Sequence, residues 1–72
     1  MLSTREKVEA YIKTRISESN EKIVEITCED LVRDLDIAPS TCYVYLKAVC
    51  GDFGGKYYRG KCIIVNPLGG ET

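Results

Sequence analysis

A proline fixes the middle of this chain. The segment Asp36-Ile37-Ala38-Pro39 breaks a helical pattern. The residue ahead of a proline is pushed out of the α region, while the proline itself suits the first position of a new helix. One helix is therefore expected to end before Asp36 and another to begin at about Pro39. The first would start behind Thr27, an N-cap residue with Glu29 and Asp30 in the first turn, where the helix dipole favours acids, and would carry Leu31, Val32 and Leu35 inward. Along the second, Cys42, Tyr45, Leu46 and Val49 make an inward stripe, leaving Ser40, Tyr43, Val44 and Lys47 outward, and Gly51 is a natural stop.

Upstream, Ser3-Thr4-Arg5-Glu6 matches a capping box, so a helix is expected from there to about Ser17 or Glu18. Val8, Tyr11, Ile12, Arg15 and Ile16 share one of its faces. Ser19-Asn20-Glu21-Lys22 reads as a turn, and the β-branched run Ile23-Val24-Glu25-Ile26 as a short strand. Downstream, Lys56-Tyr57-Tyr58 and Lys61 to Asn66 flank Arg59-Gly60, the pattern of a β-hairpin. Pro67 ends the second strand, and residues 67–72 read as a flexible tail. With 72 residues there is room for one core, and the fold class expected is α+β in a single domain spanning 1–72.

The run Ile63-Ile64-Val65 is strand-sized, far short of the ~20 apolar residues of a membrane span. The opening Met1-Leu2-Ser3-Thr4-Arg5-Glu6 lacks the basic and apolar regions of a secretory signal, so a cytoplasmic location is expected. Cys28, Cys42, Cys50 and Cys62 are separated by 14, 8 and 12 residues, with no C-x-x-C pair and no histidine in the chain, a poor pattern for zinc. A four-cysteine metal site is the least favoured reading of the cysteines, and two others stay open. They are buried free thiols acting as small hydrophobes, or some are paired in a disulfide, a device rare in mesophilic cytosol but known in hyperthermophiles. The pairing is not given by the spacing. No metal or other cofactor is expected. An enzyme is not expected either, since there is no histidine, no paired carboxylate in a plausible pocket, no G-x-S-x-G and no Walker-type glycine loop.

The order helix, strand, helix, tight turn, helix, hairpin, with the segment Asp36 to Lys47, resembles winged helix-turn-helix DNA-binding domains of transcription regulators. The resemblance spans roughly residues 4 to 66 and rests on element order more than on any single residue. It implies three helices, a short strand and a C-terminal hairpin wing, with a recognition helix at about 39–50 in the major groove of double-stranded DNA. It implies a wing at 56–66, whose tip Arg59-Gly60 lies along a backbone or enters a minor groove. Pro39, Ser40, Thr41, Tyr43, Val44 and Lys47, with Lys56, Tyr57, Arg59 and Lys61 of the wing, are the DNA-contacting set it implies. Ala38 stands where such domains often carry a capping Ser or Thr.

The formal charge of −1 argues against a strongly basic nucleic-acid binder, but it is unevenly spread: residues 1–37 hold six Lys or Arg against nine acids, and residues 38–72 hold four against two. Four cations, each neutralising one phosphate, give a salt slope of roughly −3.6 per monomer. Affinity that weak favours a homodimer on half-sites ~34 Å apart. Helix one, through Tyr11 and Ile12, is the expected dimer surface. The outward face of helix three has no Arg, Asn or Gln for bidentate base contacts, so modest specificity is expected. The competing reading is a winged-helix protein-interaction module that binds no DNA, with Val44, Tyr43 and the wing tyrosines facing a protein partner. A separate and duller reading of Lys56, Arg59 and Lys61 is that they keep an exposed hairpin from edge-to-edge pairing.

Overall fold

The computed structural model describes residues 2–66; the tail expected at 67–72 lies outside them. Its elements are α1 (Thr4–Glu18), β1 (Ile23–Thr27), α2 (Cys28–Leu35), α3 (Pro39–Asp52), β2 (Lys56–Tyr58) and β3 (Lys61–Val65). The fold is α+β, with three helices against one three-stranded antiparallel sheet in the order β1-β3-β2. No helix among the described residues is long and apolar enough to cross a membrane.

Local chemistry sets most of the boundaries. Ser3 caps α1, its Oγ accepting from the Glu6 amide at 3.1 Å while the Ser3 amide donates to the Glu6 carboxylate at 2.9 Å. Thr27 and Asp30 make the same reciprocal pair at the start of α2, at 3.2 and 3.1 Å. Asp36 ends α2 in the left-handed region at φ 55, and Ala38 opens α3 without a side-chain cap. Gly51 does not stop α3, as its sequence position suggested. The helix continues to Asp52 and closes in a Schellman arrangement, the Gly54 amide donating to Gly51 O at 3.0 Å and the Gly55 amide to Cys50 O at 2.9 Å.

The core lies between the inner sheet face and the helices. Val24 and Ile26 of β1 and Cys62 and Ile64 of β3 point in, against Val8 and Ile12 of α1, Leu31 of α2, and Leu46, Val49 and Cys50 of α3. A disulfide joins Cys50, at the end of α3, to Cys62, in the middle strand, across a Cα separation of 5.8 Å. Cys28 and Cys42 are free and buried. Both readings of the cysteines thus hold, each for one pair, and the bridge removes two thiols from any four-cysteine metal site.

The helix-one dimer surface has to be corrected. Ile12 is wholly buried in the core, and Tyr11 is half-buried, its hydroxyl donating to Asp34 at 2.6 Å. Arg15 completes this junction, donating to the Tyr11 oxygen at 3.0 Å and to the Glu25 carbonyl at 3.2 Å, so α1, α2 and β1 meet at one guanidinium. A residue not singled out from the sequence ties the other end. Asn66, buried, donates from Nδ2 to the carbonyls of Ile16 and Ser19 at 3.1 and 3.3 Å, satisfying acceptors that the last turn of α1 leaves over.

Carboxylates in these contacts titrate low. Hydrogen bonds from Arg33 and then Tyr11 lower Asp34 to about 2. Burial works against ionisation of Asp30, but the Thr27 amide and Arg15 outweigh it and the net shift is downward. Depressed native values add stability that is complete above the ordinary carboxylate range and lost as pH falls through the native values. We therefore expect urea midpoints that are flat near neutrality and drop between about pH 4 and pH 2, with Asp34→Asn flattening part of that drop.

Gly55 has no room for a side chain. A Cβ there would stand 2.7 Å from Ile64 Cγ1, 2.9 Å from the Ile63 carbonyl oxygen and 3.0 Å from the Cys50 sulfur. Gly55→Ala is expected to lower unfolding stability by about 1–3 kcal/mol. Gly51→Ala, inside a helix with nothing within 4 Å, is expected to raise it by up to about 1 kcal/mol, both measured by urea denaturation.

Candidate nucleic-acid interface

The turn between α2 and α3 is short because Asp36 takes the left-handed conformation and Ile37 plugs into the core, leaving Ala38 to lead into Pro39 at the first helical position. This fixes the rotation of α3. Cys42, Leu46, Val49 and Cys50 face the core, and Ser40, Tyr43, Val44 and Lys47 face outward. Tyr43 and Val44 are 53% and 66% exposed, high for side chains of their apolar content. Pro39 and Thr41 are also exposed. The Thr41 hydroxyl, however, donates to the Ala38 carbonyl at 3.0 Å, so its proton is already used and it is less able to donate to a phosphate.

The hairpin turn is tight. Tyr58 and Lys61 are partners in the ladder, so Arg59 and Gly60 form a two-residue loop, and both have positive φ, 48° and 80°. That is the geometry of a type I′ turn, which favours Asn-Gly. Arginine in the left-handed region costs roughly 1–2 kcal/mol relative to its preferred conformations. The Arg59 guanidinium lies over the Tyr58 ring, 5.2 Å from its centre. The tip does not project freely, since the Cys28 amide at the start of α2 donates to the Gly60 carbonyl at 3.0 Å.

Pinning the tip there brings part of the expected set together. Tyr43 of α3, Arg59 and Lys61 of the hairpin, and Thr27 and Glu29 beside them line one depression of about 150 Å³. The remainder is placed differently. Tyr57 pairs with Cys62 on the inner side of the sheet and is half-buried against the core, so it is not presented with the others. Burial raises its phenol above the ordinary value. Lys56 pairs with Ile63 and shares the outer sheet face with Tyr58 and Lys61. A second, more apolar groove of about 340 Å³ runs between α2 and α3, lined by Val32, Pro39, Cys42 and Tyr43 among others.

The charges divide the same way. Arg5 pairs with Glu9 and Asp52, Arg15 with Asp30, and Arg33 with Asp30 and Asp34, so these arginines are committed within the fold. Among the described residues, Lys47, Lys56, Arg59 and Lys61 make no ion pair with an acid. Lys7, Lys13 and Lys22 make none either but belong to the acid-rich first half of the chain, so these four are the unpaired cations of α3 and the hairpin. Glu29 lines the same depression as Arg59 and Lys61.

No protein-family model matches this chain, and no curated protein or solved structure is detectably similar to it.

Cys28 and Cys42 stand at the back of both the apolar groove and the turn unit. Burial, with a hydrogen bond to Cys42 that favours the protonated form, pushes the Cys28 thiol up to about 12. A thiol so far above neutrality forms almost no thiolate at pH 8. The native chain is expected to be inert to Ellman's reagent. The unfolded, unreduced chain should release colour for two thiols, and four would contradict the Cys50–Cys62 bridge.

Proposed function

We propose that this chain is a double-stranded DNA-binding protein of the winged helix-turn-helix kind, acting as a transcription regulator. One observation carries the proposal: the outward face of α3 and the cationic hairpin tip adjoin, with Tyr43, Arg59 and Lys61 around one depression and without intramolecular salt bridges on the cations among the described residues. The helix axis and the tip can then follow neighbouring parts of one duplex.

In this mode Ser40, Tyr43, Val44 and Lys47 enter the major groove from the first three turns of α3, next to Pro39. Val44 offers only apolar contact to a thymine methyl, while the hydroxyls and Lys47 reach base edges or phosphates. Arg59 and Lys61 meet phosphates. Because the tip is tied to α2 through Gly60, contact along the backbone suits it better than deep entry into a minor groove. The type I′ turn holds the Arg59 backbone in the left-handed region although asparagine would suit it better, so an arginine kept there fits a contact role. The lack of bidentate base readers on the outward face of α3 favours modest sequence specificity. A cytoplasmic location goes with such a role; a bridge like Cys50–Cys62 is known in the cytosol of hyperthermophiles and rare in that of mesophiles.

A protein-docking module is the second reading. The exposed Tyr43 and Val44 beside the apolar groove, with Glu29 close by, favour it.

Fluorescence anisotropy of a labelled mixed-sequence duplex separates the two. DNA binding requires a signal that weakens with salt. Arg59→Ala with Lys61→Ala should then reduce the salt slope by roughly 2 per monomer. Arg59→Asn should weaken binding while leaving the fold as stable or more so, because asparagine suits the type I′ turn. Folded wild type that fails to bind even at low salt would sink DNA binding in favour of docking.

A further inference from the structure

The outer face of the sheet is covered by no other element among the described residues, and it exposes four large apolar side chains. Ile23, Tyr58, Ile63 and Val65 are 48, 62, 36 and 63% exposed. Strand register arranges them in rows. Ile23 lies beside Val65; Glu25, Ile63 and Lys56 form a row across all three strands; and Thr27, Lys61 and Tyr58 form the next. Every one of these positions alternates with an inward-facing core residue, so the pattern is a second apolar surface backed directly by the first.

The middle row carries opposite charges at its two ends. Glu25 on β1 and Lys56 on β2 flank Ile63 from either side. One strand stands between them, a gap of about 10 Å, too wide for a direct pair within one chain. No ion pair joins either of them to another described residue. Such a row complements itself. If a second copy is laid face to face and turned by 180° about an axis along β3, Glu25 of each chain faces Lys56 of the other, and Ile63 and Val65 meet their own mates. The alternative axis, across the strands, would set Glu25 against Glu25 and Lys56 against Lys56. The charges therefore select one of the two symmetric ways of stacking the sheets.

We propose that the outer sheet face is the surface on which two copies of this chain associate, with β3 stacked on β3 along the two-fold axis and two reciprocal Glu25–Lys56 pairs at its sides. Sheets so stacked lie about 10 Å apart, which leaves Ile63 and Val65 interlocked between them. Lys61 meets its own mate at one end, and its long stem lets the ammonium splay toward solvent. The face is small for a permanent interface, so association is concentration-dependent and sensitive to salt. It leaves α3 and its outward side chains uncovered. It is also independent of DNA, and is tested without it.

Sedimentation equilibrium of the full chain over a wide concentration range measures the association. Wild type is expected to approach a dimer at the top of that range. Glu25→Lys and Lys56→Glu, each of which turns both reciprocal contacts into like-charge ones, should each raise the dimer Kd by about tenfold or more. The double variant Glu25→Lys, Lys56→Glu should return to near the wild-type value. Both side chains are exposed, and far-UV circular dichroism checks that each variant is folded; Glu25→Gln and Lys56→Gln replace any that is not, with a smaller loss expected. A wild type that stays monomeric at the highest concentration, or a dimer whose Kd neither swap moves, or single swaps that weaken it without rescue in the double variant, would overturn the proposal.

Discussion

Cys62 is the point on which the structure turns. It lies in the middle strand, with Ile26 of β1 on one side and Tyr57 of β2 on the other, and its sulfur is bound to Cys50 at the end of α3. One residue thus takes part in both strand ladders, in the core and in the only covalent cross-link among the described residues. A bridge closing a loop of this size typically contributes about 3 kcal/mol, by whichever mechanism, and for a chain of 72 residues that is a large share of the usual margin. The tightness around it follows. Gly55 is confined by the Cys50 sulfur and the β3 backbone together, so α3 has to end where its last amides can turn onto the sheet.

What the sequence made legible was what acts locally. The caps at Ser3 and Thr27, the break at Pro39 and the turn at Arg59-Gly60 each involve a few neighbouring residues, and each appears in the structure with the expected geometry. Gly51 was misleading because a helix tolerates a glycine when the stronger stop, Gly54-Gly55, lies just beyond it. The facing of the hairpin residues was harder. Tyr57 and Tyr58 are adjacent and chemically alike, and only the register with Cys62 decides that Tyr57 goes inward and Tyr58 outward. The same holds for Asn66, whose partners lie fifty and forty-seven residues away, and for the cysteine pairing. Ile12 looked available because its helix face is wide; three neighbouring elements use all of it.

The separation of charge is the thread that links fold to function. Arg15 and Arg33 are spent on Asp30 and Asp34, near the junction where α1, α2 and β1 meet, Arg5 on Glu9 and Asp52, and Glu6 and Asp30 of the first half serve as caps. Cations in the second half have no such commitment among the described residues. A nearly neutral molecule can therefore present a positive corner, formed by α3 and the hairpin tip, and a balanced apolar face on the outside of the sheet. These are different surfaces, with Lys61 at their border.

The pairing of β1 with β3 also has a consequence in time. β1 emerges well before β3, yet its ladder from Thr27–Lys61 to Ile23–Val65 needs that later strand. Until then it is an unpaired, apolar segment, of the kind prone to association with other chains, while the α2–turn–α3 unit can already form from local contacts. Closing the sheet has to wait for β3, while Arg15, donating from α1 to the Glu25 carbonyl, covers part of the other edge of β1, the one that β3 leaves unpaired.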